Sequence, residues 1–283
     1  MAPIPDEYPN YYEFTGCKRI EPRLCDVTET GAAVIVNSIG SKASFRNPIA
    51  EAILKATGEG IKDEVQRYRF IPSGGIVITH AGQLMKTTLY LFHVVVTSRA
   101  ADYRTDPDLI VPVTTRCVRL ADLLGQETIA IPPLGTGMGR GDRVQVLKQM
   151  LNAIIDLLPE CKTLAKVIFA ATKEKTFALF HNLALANIAL VRREQELKDA
   201  LRDVPPSLYG LVGDLLLRLE AAREAGESPQ QLLQEAEGLI KVGKELQEKL
   251  PSPSGPVAGT VQLIVATGGS IVRNVTQQIE SGR

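Results

Sequence analysis

In Thr128-Ile-Ala-Ile-Pro-Pro-Leu-Gly-Thr-Gly-Met-Gly-Arg-Gly-Asp142 an apolar run meets two prolines and then four glycines, the last of them Gly141. Ile129, Ala130 and Ile131 read as a buried strand. From Val144 to Leu158 apolar residues recur at helical spacing (Val144, Leu147, Met150, Leu151, Ile154, Leu158), so the order is strand, glycine loop, helix. Glycines admit positive φ and close approach of the main chain to a ligand, and the first turn of the next helix offers unpaired N–H groups. An anion, a phosphate or diphosphate, suits such a loop. A bare strand-to-helix turn is the competing reading, because Gly-x-Gly-x-Gly-x-Gly is neither the dinucleotide fingerprint nor the Walker loop.

Upstream, Phe14–Leu24 holds a first strand, and Ala32–Val36 is a β-branched run of the kind covered on both faces. That run ends in the small polar loop Asn37-Ser-Ile-Gly-Ser41, and ligands of open α/β sheets bind at such carboxyl ends. Asn47-Pro48 predicts a helix start, with Gly58 or Gly60 closing the helix, and a second short helix covers Ile61–Tyr68. Ile76–His80 and Leu89–Val96 read as adjacent strands, and Asp106–Leu124 as a helix. Downstream, Leu164–Ala170 is one more strand and Thr172 to about Ala200 is helical. Alternating strands and helices make the class α/β, a mixed sheet between helical layers.

Composition narrows the partners. Lys and Arg balance Asp and Glu at 32 each, Trp is absent and aromatic residues make up 5% of the 283, so neither a basic field nor a stacking platform for nucleic acid is present. An anion site must be local, which favours a small ligand. Cys17, Cys25, Cys117 and Cys161 are scattered, without metal spacing, so no metal is expected. Met1-Ala-Pro-Ile-Pro-Asp-Glu7 carries no charged-then-apolar signal pattern, and no apolar run is long enough to cross a bilayer. A soluble, reduced, cytoplasmic protein is the expectation.

With these elements in order, residues 14–190 resemble a macrodomain, the α/β/α module that binds ADP-ribose and related nucleotides. Cys25-Asp-Val-Thr28 is similar to the family's Gly-Asp-Ile-Thr, Val34-Ile-Val-Asn-Ser38 to its Ile-Val-Asn-Ala strand end, and Gly75–Gly82 with Leu89–Val96 to its paired central strands. Ile129–Gly139 is similar to its second phosphate loop. The resemblance implies that Asp26, beside Val27, accepts a hydrogen bond from the adenine amine. It implies too that Leu134, Gly135, Thr136, Gly137, Met138 and Gly139 wrap the diphosphate, and that Asn37 and Gly40 lie beside the distal ribose. Each residue also has a structural reading: a turn for the glycines, a cap for Asp26, a loop-capping amide for Asn37.

Two departures bear on catalysis. Hydrolytic members of that family carry a second Asn three residues after the first and then a Gly-Gly-Gly-Val loop. Here the position is Gly40, and Ser41–Pro48 has no glycine. The aromatic near the end of the second loop is replaced by Gly139. Losing a positioned amide removes orientation that catalysis needs, so binding is expected and hydrolysis is not. Arg46, Arg140 and Arg143 read as solvated cations that could assist the diphosphate through charge. Were the chain an ADP-ribosyl hydrolase or deacylase, Asn37 would be its catalytic candidate. A scaffold that has lost nucleotide binding is the remaining alternative.

The organisation expected is an arm (1–13), the macrodomain-like domain (14–203), a helical hairpin (207–250), a linker (251–259) and a β-rich tail (260–283). Asp203–Pro206 breaks the chain, Ser228-Pro229 starts a helix, and Leu232, Ala236, Leu239, Gly243, Leu246 and Leu250 form a coiled-coil-like seam. Thr260–Ile279, β-branched around Gly268-Gly269, reads as a hairpin. Residues 207–283 therefore look like an interaction region for a protein partner or a second copy. The ligand expected is an ADP-ribose-type nucleotide or an ADP-ribosylated macromolecule, with no further cofactor.

Overall fold

The computed structural model describes residues 11–13, 18–99, 101, 104–135, 142–199, 204–225 and 228–281. The chain divides into two compact units, 10–177 and 178–283. Of the expected arm only Tyr11–Glu13 is described, and Phe14–Cys17 of the first expected strand and Thr136–Gly141 of the glycine loop lie outside the described residues.

The first unit is built on seven strands: β1 (Tyr12–Glu13), β2 (Arg19–Leu24), β3 (Val34–Ser38), β4 (Ile76–His80), β5 (Tyr90–Val94), β6 (Thr128–Ile131) and β7 (Lys166–Ala171). Their order is β1-β2-β7-β6-β3-β5-β4, antiparallel at the two outer pairs and parallel between. Helices α1 (Pro48–Thr57), α2 (Gly60–Gln66), α3 (Pro107–Leu123) and α4 (Arg143–Leu157) complete this unit, and α5 (Glu174–Ala184) starts in it. Strand alternation sends Ile35, Val77, Leu91, Ala130 and Ile168 to one face, where they pack with Ala50 and Ile53 of α1 and Ile61 and Val65 of α2. Val34, Val36, Phe92, Ile129, Ile131 and Phe169 alternate to the other face, and all are buried. Helix α3 packs on β6 and on α4. A sheet buried on both sides explains the unbroken apolar runs, each large side chain contributing roughly 1.5–3 kcal/mol.

Local chemistry fixes the helix ends. Asn47 caps α1 by accepting from Ala50 N at 2.9 Å, with Pro48 in the first turn, and Asp106 and Asp142 cap α3 and α4 in the same way. At the other end of α3, the Asp122 carboxylate accepts from Lys162 N, Thr163 N and Leu164 N at 2.6–3.1 Å, tying that helix to the approach to β7.

In the second unit α5 runs through a π-helical turn (Leu185–Ala189) into α6 (Leu190–Asp199), followed by α7 (Tyr209–Glu224), α8 (Pro229–Lys249) and α9 (Pro256–Ser281). Helix α6 packs on α7 and α9, and α8 packs on the same two, which makes a four-helix bundle. Division between the units falls inside α5 at Phe177–Ala178, and the breaker at Val204-Pro-Pro206 instead separates α6 from α7.

The tail corrects the sequence reading. Thr260–Ile279 is not a hairpin; it belongs to the 26-residue helix α9. Buried Val257, Val261, Ile264, Gly268, Ile271 and Val275 recur at alternating steps of four and three, the same seam that α8 carries at Leu232, Ala236, Leu239, Gly243 and Leu246. That periodicity overrides the β-branched composition, because tertiary burial outweighs intrinsic propensity. Gly268-Gly269 is a notch, not a turn. A Cβ at Gly268 would lie 3.0 Å from Ile240 Cγ1 and 3.2 Å from the Ala236 carbonyl oxygen, and one at Gly243 would lie 2.5 Å from Val265 Cγ2. The contacts run oppositely along the two helices, so α8 and α9 are antiparallel and touch closely where both carry glycine.

Candidate functional site

The carboxyl ends of β3, β6 and β7 open on a cavity of about 320 Å³ walled entirely by the first unit. This is where parallel α/β sheets place ligands, because strands end there and helices begin. Three helix starts meet at it: Asn47, Pro48 and Ile49 of α1, Arg143 of α4, and Lys173 and Thr176 at the start of α5.

Asp26 and Val27 line the cavity. Asp26 Oδ1 accepts from Thr28 N at 2.9 Å and Thr28 Oγ1 at 2.7 Å, capping the 3₁₀ turn Val27–Glu29. The carboxylate is thus held in place through one oxygen, leaving Oδ2 to accept from a ligand. Neighbouring Cys25 is no thiolate: burial pushes its thiol pKa up, and Glu29 and Asp26 add to the rise against Arg23.

Gly40 and Gly135 also line the cavity. Gly135 sits at φ +66, and its carbonyl accepts from Thr105 Oγ1 at 2.6 Å. A Cβ there would collide with the Thr105 side chain, so only glycine fits. Leu134 beside it is fully buried and not part of the wall. Thr136, Gly137, Met138 and Gly139 lie outside the described residues.

Asn37 is placed elsewhere than beside a ligand. It is fully buried, absent from the cavity wall, and its Nδ2 lies 3.1 Å from His93 Nδ1 on the neighbouring strand. An amide NH₂ only donates, so Nδ1 accepts and the ring proton sits on Nε2. Nε2 donates to Thr79 Oγ1 at 3.0 Å, and Thr79 Oγ1 donates to the His80 carbonyl at 3.0 Å. Burial holds His93 down to about 3, so it is neutral, and Phe45 packs edge-on against its ring at 5.6 Å. The structure makes Asn37 the first donor of a polar chain inside the sheet.

Several wall residues were missed as a set. Ser38 and Asn47 are joined, Asn47 Nδ2 donating to the Ser38 carbonyl at 2.6 Å. Thr172 and Lys173 follow β7, and the signal for them was position alone: the residues just past a parallel strand. Arg46 and Arg143 were read as solvated, yet both line the cavity. Neither they nor Lys173 carries an ion pair or hydrogen bond through its side chain among the described residues. Three cations and one carboxylate, that of Asp26, line the described wall. No group of His, Cys, Asp and Glu suited to a metal occurs among the described residues, and none of the helices described is long and apolar enough to cross a membrane.

Comparison with known proteins agrees with this architecture. A family model described as Macro domain matches residues 36–150. An uncharacterized protein of Aquifex aeolicus is 30% identical over 150 residues, covering 53% of this chain and 87% of that protein. The O-acetyl-ADP-ribose deacetylase 1 of Pantoea vagans is 29% identical over 171 residues, 59% of this chain and 98% of that protein. Among solved structures, the Oceanobacillus iheyensis macrodomain with ADP has a TM-score of 0.54 at 19% identity, over 60% of this chain and 91% of that one. The Trypanosoma brucei macrodomain in complex with ADP-ribose has a TM-score of 0.51 at 20% identity, over 57% and 67%. With matched sequence, shared fold and a cavity at the strand ends, the chain belongs to the macrodomain family.

Proposed function

We propose that the cavity binds ADP-ribose or a closely related NAD-derived nucleotide, free or attached to a macromolecule, and that it serves recognition, not turnover. The observation that carries this is that three unpaired cations, three helix N-termini and one anchored carboxylate line the same cavity. Helix starts and guanidinium groups suit a diphosphate, and a fixed carboxylate oxygen suits an exocyclic amine. Solved relatives of this fold are described with ADP and with ADP-ribose.

Binding without hydrolysis is supported by the state of the amides. Asn37 is committed to His93, and both ends of the Asn47 amide are used, by Ser38 and Ala50. Gly40 brings no side chain. The Asn47 amide is used at both ends, and that of Asn37, whose Oδ1 has no partner, is buried away from the cavity wall, so neither reaches a ribose there. The activity for which the Pantoea relative is named favours the second reading, deacylation of an acylated ADP-ribose through another residue set.

Titration calorimetry with ADP-ribose tests the first reading: saturable heat with one site per chain is expected, and none at millimolar ligand defeats it. Incubation with O-acetyl-ADP-ribose tests the second, with acetate release the readout. For the second unit we propose an interaction role, supported by exposed Tyr209, Leu217, Leu263 and Ile279 on the bundle. Light scattering across a concentration series tests self-association, and a mass fixed at one chain would leave that role to another partner.

A further inference from the structure

In the loop after β3, the residues Ile39, Gly40 and Ser44 that line the cavity have spent their main-chain amides. Ile39 N donates to the Val94 carbonyl at 2.9 Å, Gly40 N to Ser44 O at 3.2 Å and Ser44 N to Gly40 O at 3.4 Å. The reciprocal pair closes Gly40–Ser44 into a small ring, with Ala43 at φ +54 making the turn, and the Ser41 carbonyl is held by Ile71 N at 2.7 Å. A glycine-rich phosphate loop works the other way, turning several free N–H groups toward the anion. Here Gly40 and Ser44 line the cavity while their N–H groups point into the loop's own bonds.

Two residues past the ring, Arg46 lines the same part of the cavity, immediately ahead of the Asn47 cap of α1. It has no protein partner among the described residues. A cation beside a helix N-terminus lies at the wrong end of the dipole, where acidic groups are favoured. The arrangement becomes favourable once an anion sits between guanidinium and helix start.

We infer that Arg46 takes over from main-chain amides as the phosphate-holding group on the β3 side of the cavity, so that a nucleotide's diphosphate is gripped there by a guanidinium fork. This rests on the nucleotide reading given above. Its consequence is a site whose affinity depends more on one long side chain, and more steeply on salt, than an amide cradle's would.

The test uses the full chain and ADP-ribose, by calorimetry at low and at high salt, on wild type, Arg46→Ala, Arg46→Lys and Lys42→Ala. Lys42 is an exposed cation in the same loop and not part of the wall, so it controls for net charge. Arg46→Ala is expected to weaken binding by about tenfold or more, the scale of a hydrogen bond to a charged group. Arg46→Lys is expected to recover only part of it, since a point charge lacks the planar fork, and Lys42→Ala to stay within about twofold. Added salt is expected to weaken wild type more than Arg46→Ala. Ligand-free melting should find Arg46→Ala at least as stable as wild type. Wild-type binding with Arg46→Ala equal to it at both salt concentrations overturns the inference and leaves the nucleotide reading standing. Loss of binding accompanied by a lowered melting point would make Arg46 structural, and overturns it too. Absence of any wild-type binding sinks both.

Discussion

Asn37 Nδ2 donates to His93 Nδ1 across 3.1 Å between parallel strands β3 and β5, in a fully buried setting. Asn37→Ala should therefore act on stability before it acts on any ligand. It leaves a buried imidazole nitrogen without a donor, and we expect a loss of about 1–3 kcal/mol. Chemical denaturation measures this. ADP-ribose affinity near that of wild type at a temperature where the variant is folded is the accompanying expectation.

Two histidines make the protein acid-sensitive. Burial lowers His93 and His181 to about 3 from the ordinary 6.5. The unfolded chain takes up protons at these rings as pH falls through 6.5 while the folded chain does not. Stability is therefore full above pH 6.5 and declines from there toward about 3, each ring contributing up to about 1.4 kcal/mol per pH unit. Melting temperature measured from pH 7.5 to 4 should fall, and His93→Gln should flatten the slope. An equal slope in that variant would refute the assignment to His93.

Asp122 adds a second, lower window. Although burial pulls its pKa up, the N–H groups of Leu164, Thr163 and Lys162 outweigh it and hold the carboxyl below its usual range. Its contribution is present above the ordinary value of 3.8 and is lost as pH drops through the folded one. Asp122→Asn should weaken the protein at neutral pH and show a smaller further loss on going below pH 4, read from denaturation midpoints.

Gly135 cannot carry a side chain. Its positive φ and the Thr105 contact mean that Gly135→Ala should destabilise by about 1–3 kcal/mol and weaken nucleotide binding together. Thr105→Ser, which keeps the hydroxyl bonded to the Gly135 carbonyl and removes the methyl, should lessen that cost. Calorimetric and thermal measurements on the single and double variants check the coupling.

The bundle offers two opposite glycine substitutions. Gly268→Leu forces a side chain onto Ile240 and the Ala236 carbonyl, at a cost of about 1–3 kcal/mol. Gly259 has open space within the same helix, so Gly259→Ala should stabilise by about 0.5–1 kcal/mol. A hairpin in this stretch would show neither result. Circular dichroism melts distinguish them.

The helix starts were legible because their signals are local. Asn47-Pro48 marked the start of α1 and Ser228-Pro229 that of α8, each through a cap that a short sequence reveals. The tail was misread because β-branched residues around Gly268-Gly269 carry a local strand signal, whereas the seam appears only when six burial positions over nineteen residues are taken together. Asn37 was located at its strand end correctly, but the direction of its side chain depends on His93, fifty-six residues away. Arg46 and Arg143 were visible as charges, and nothing local tells a solvated cation from one facing a hollow.

Arg46, Arg143 and Lys173 crowd one hollow of a chain whose formal charge sums to zero. Beyond about 8 Å in physiological salt so compact a source fades from view. An approaching anion is not drawn in from afar; it wanders in, and the pull begins once it has arrived. Ionic strength should thus shorten how long a visitor stays far more than it slows how often one comes.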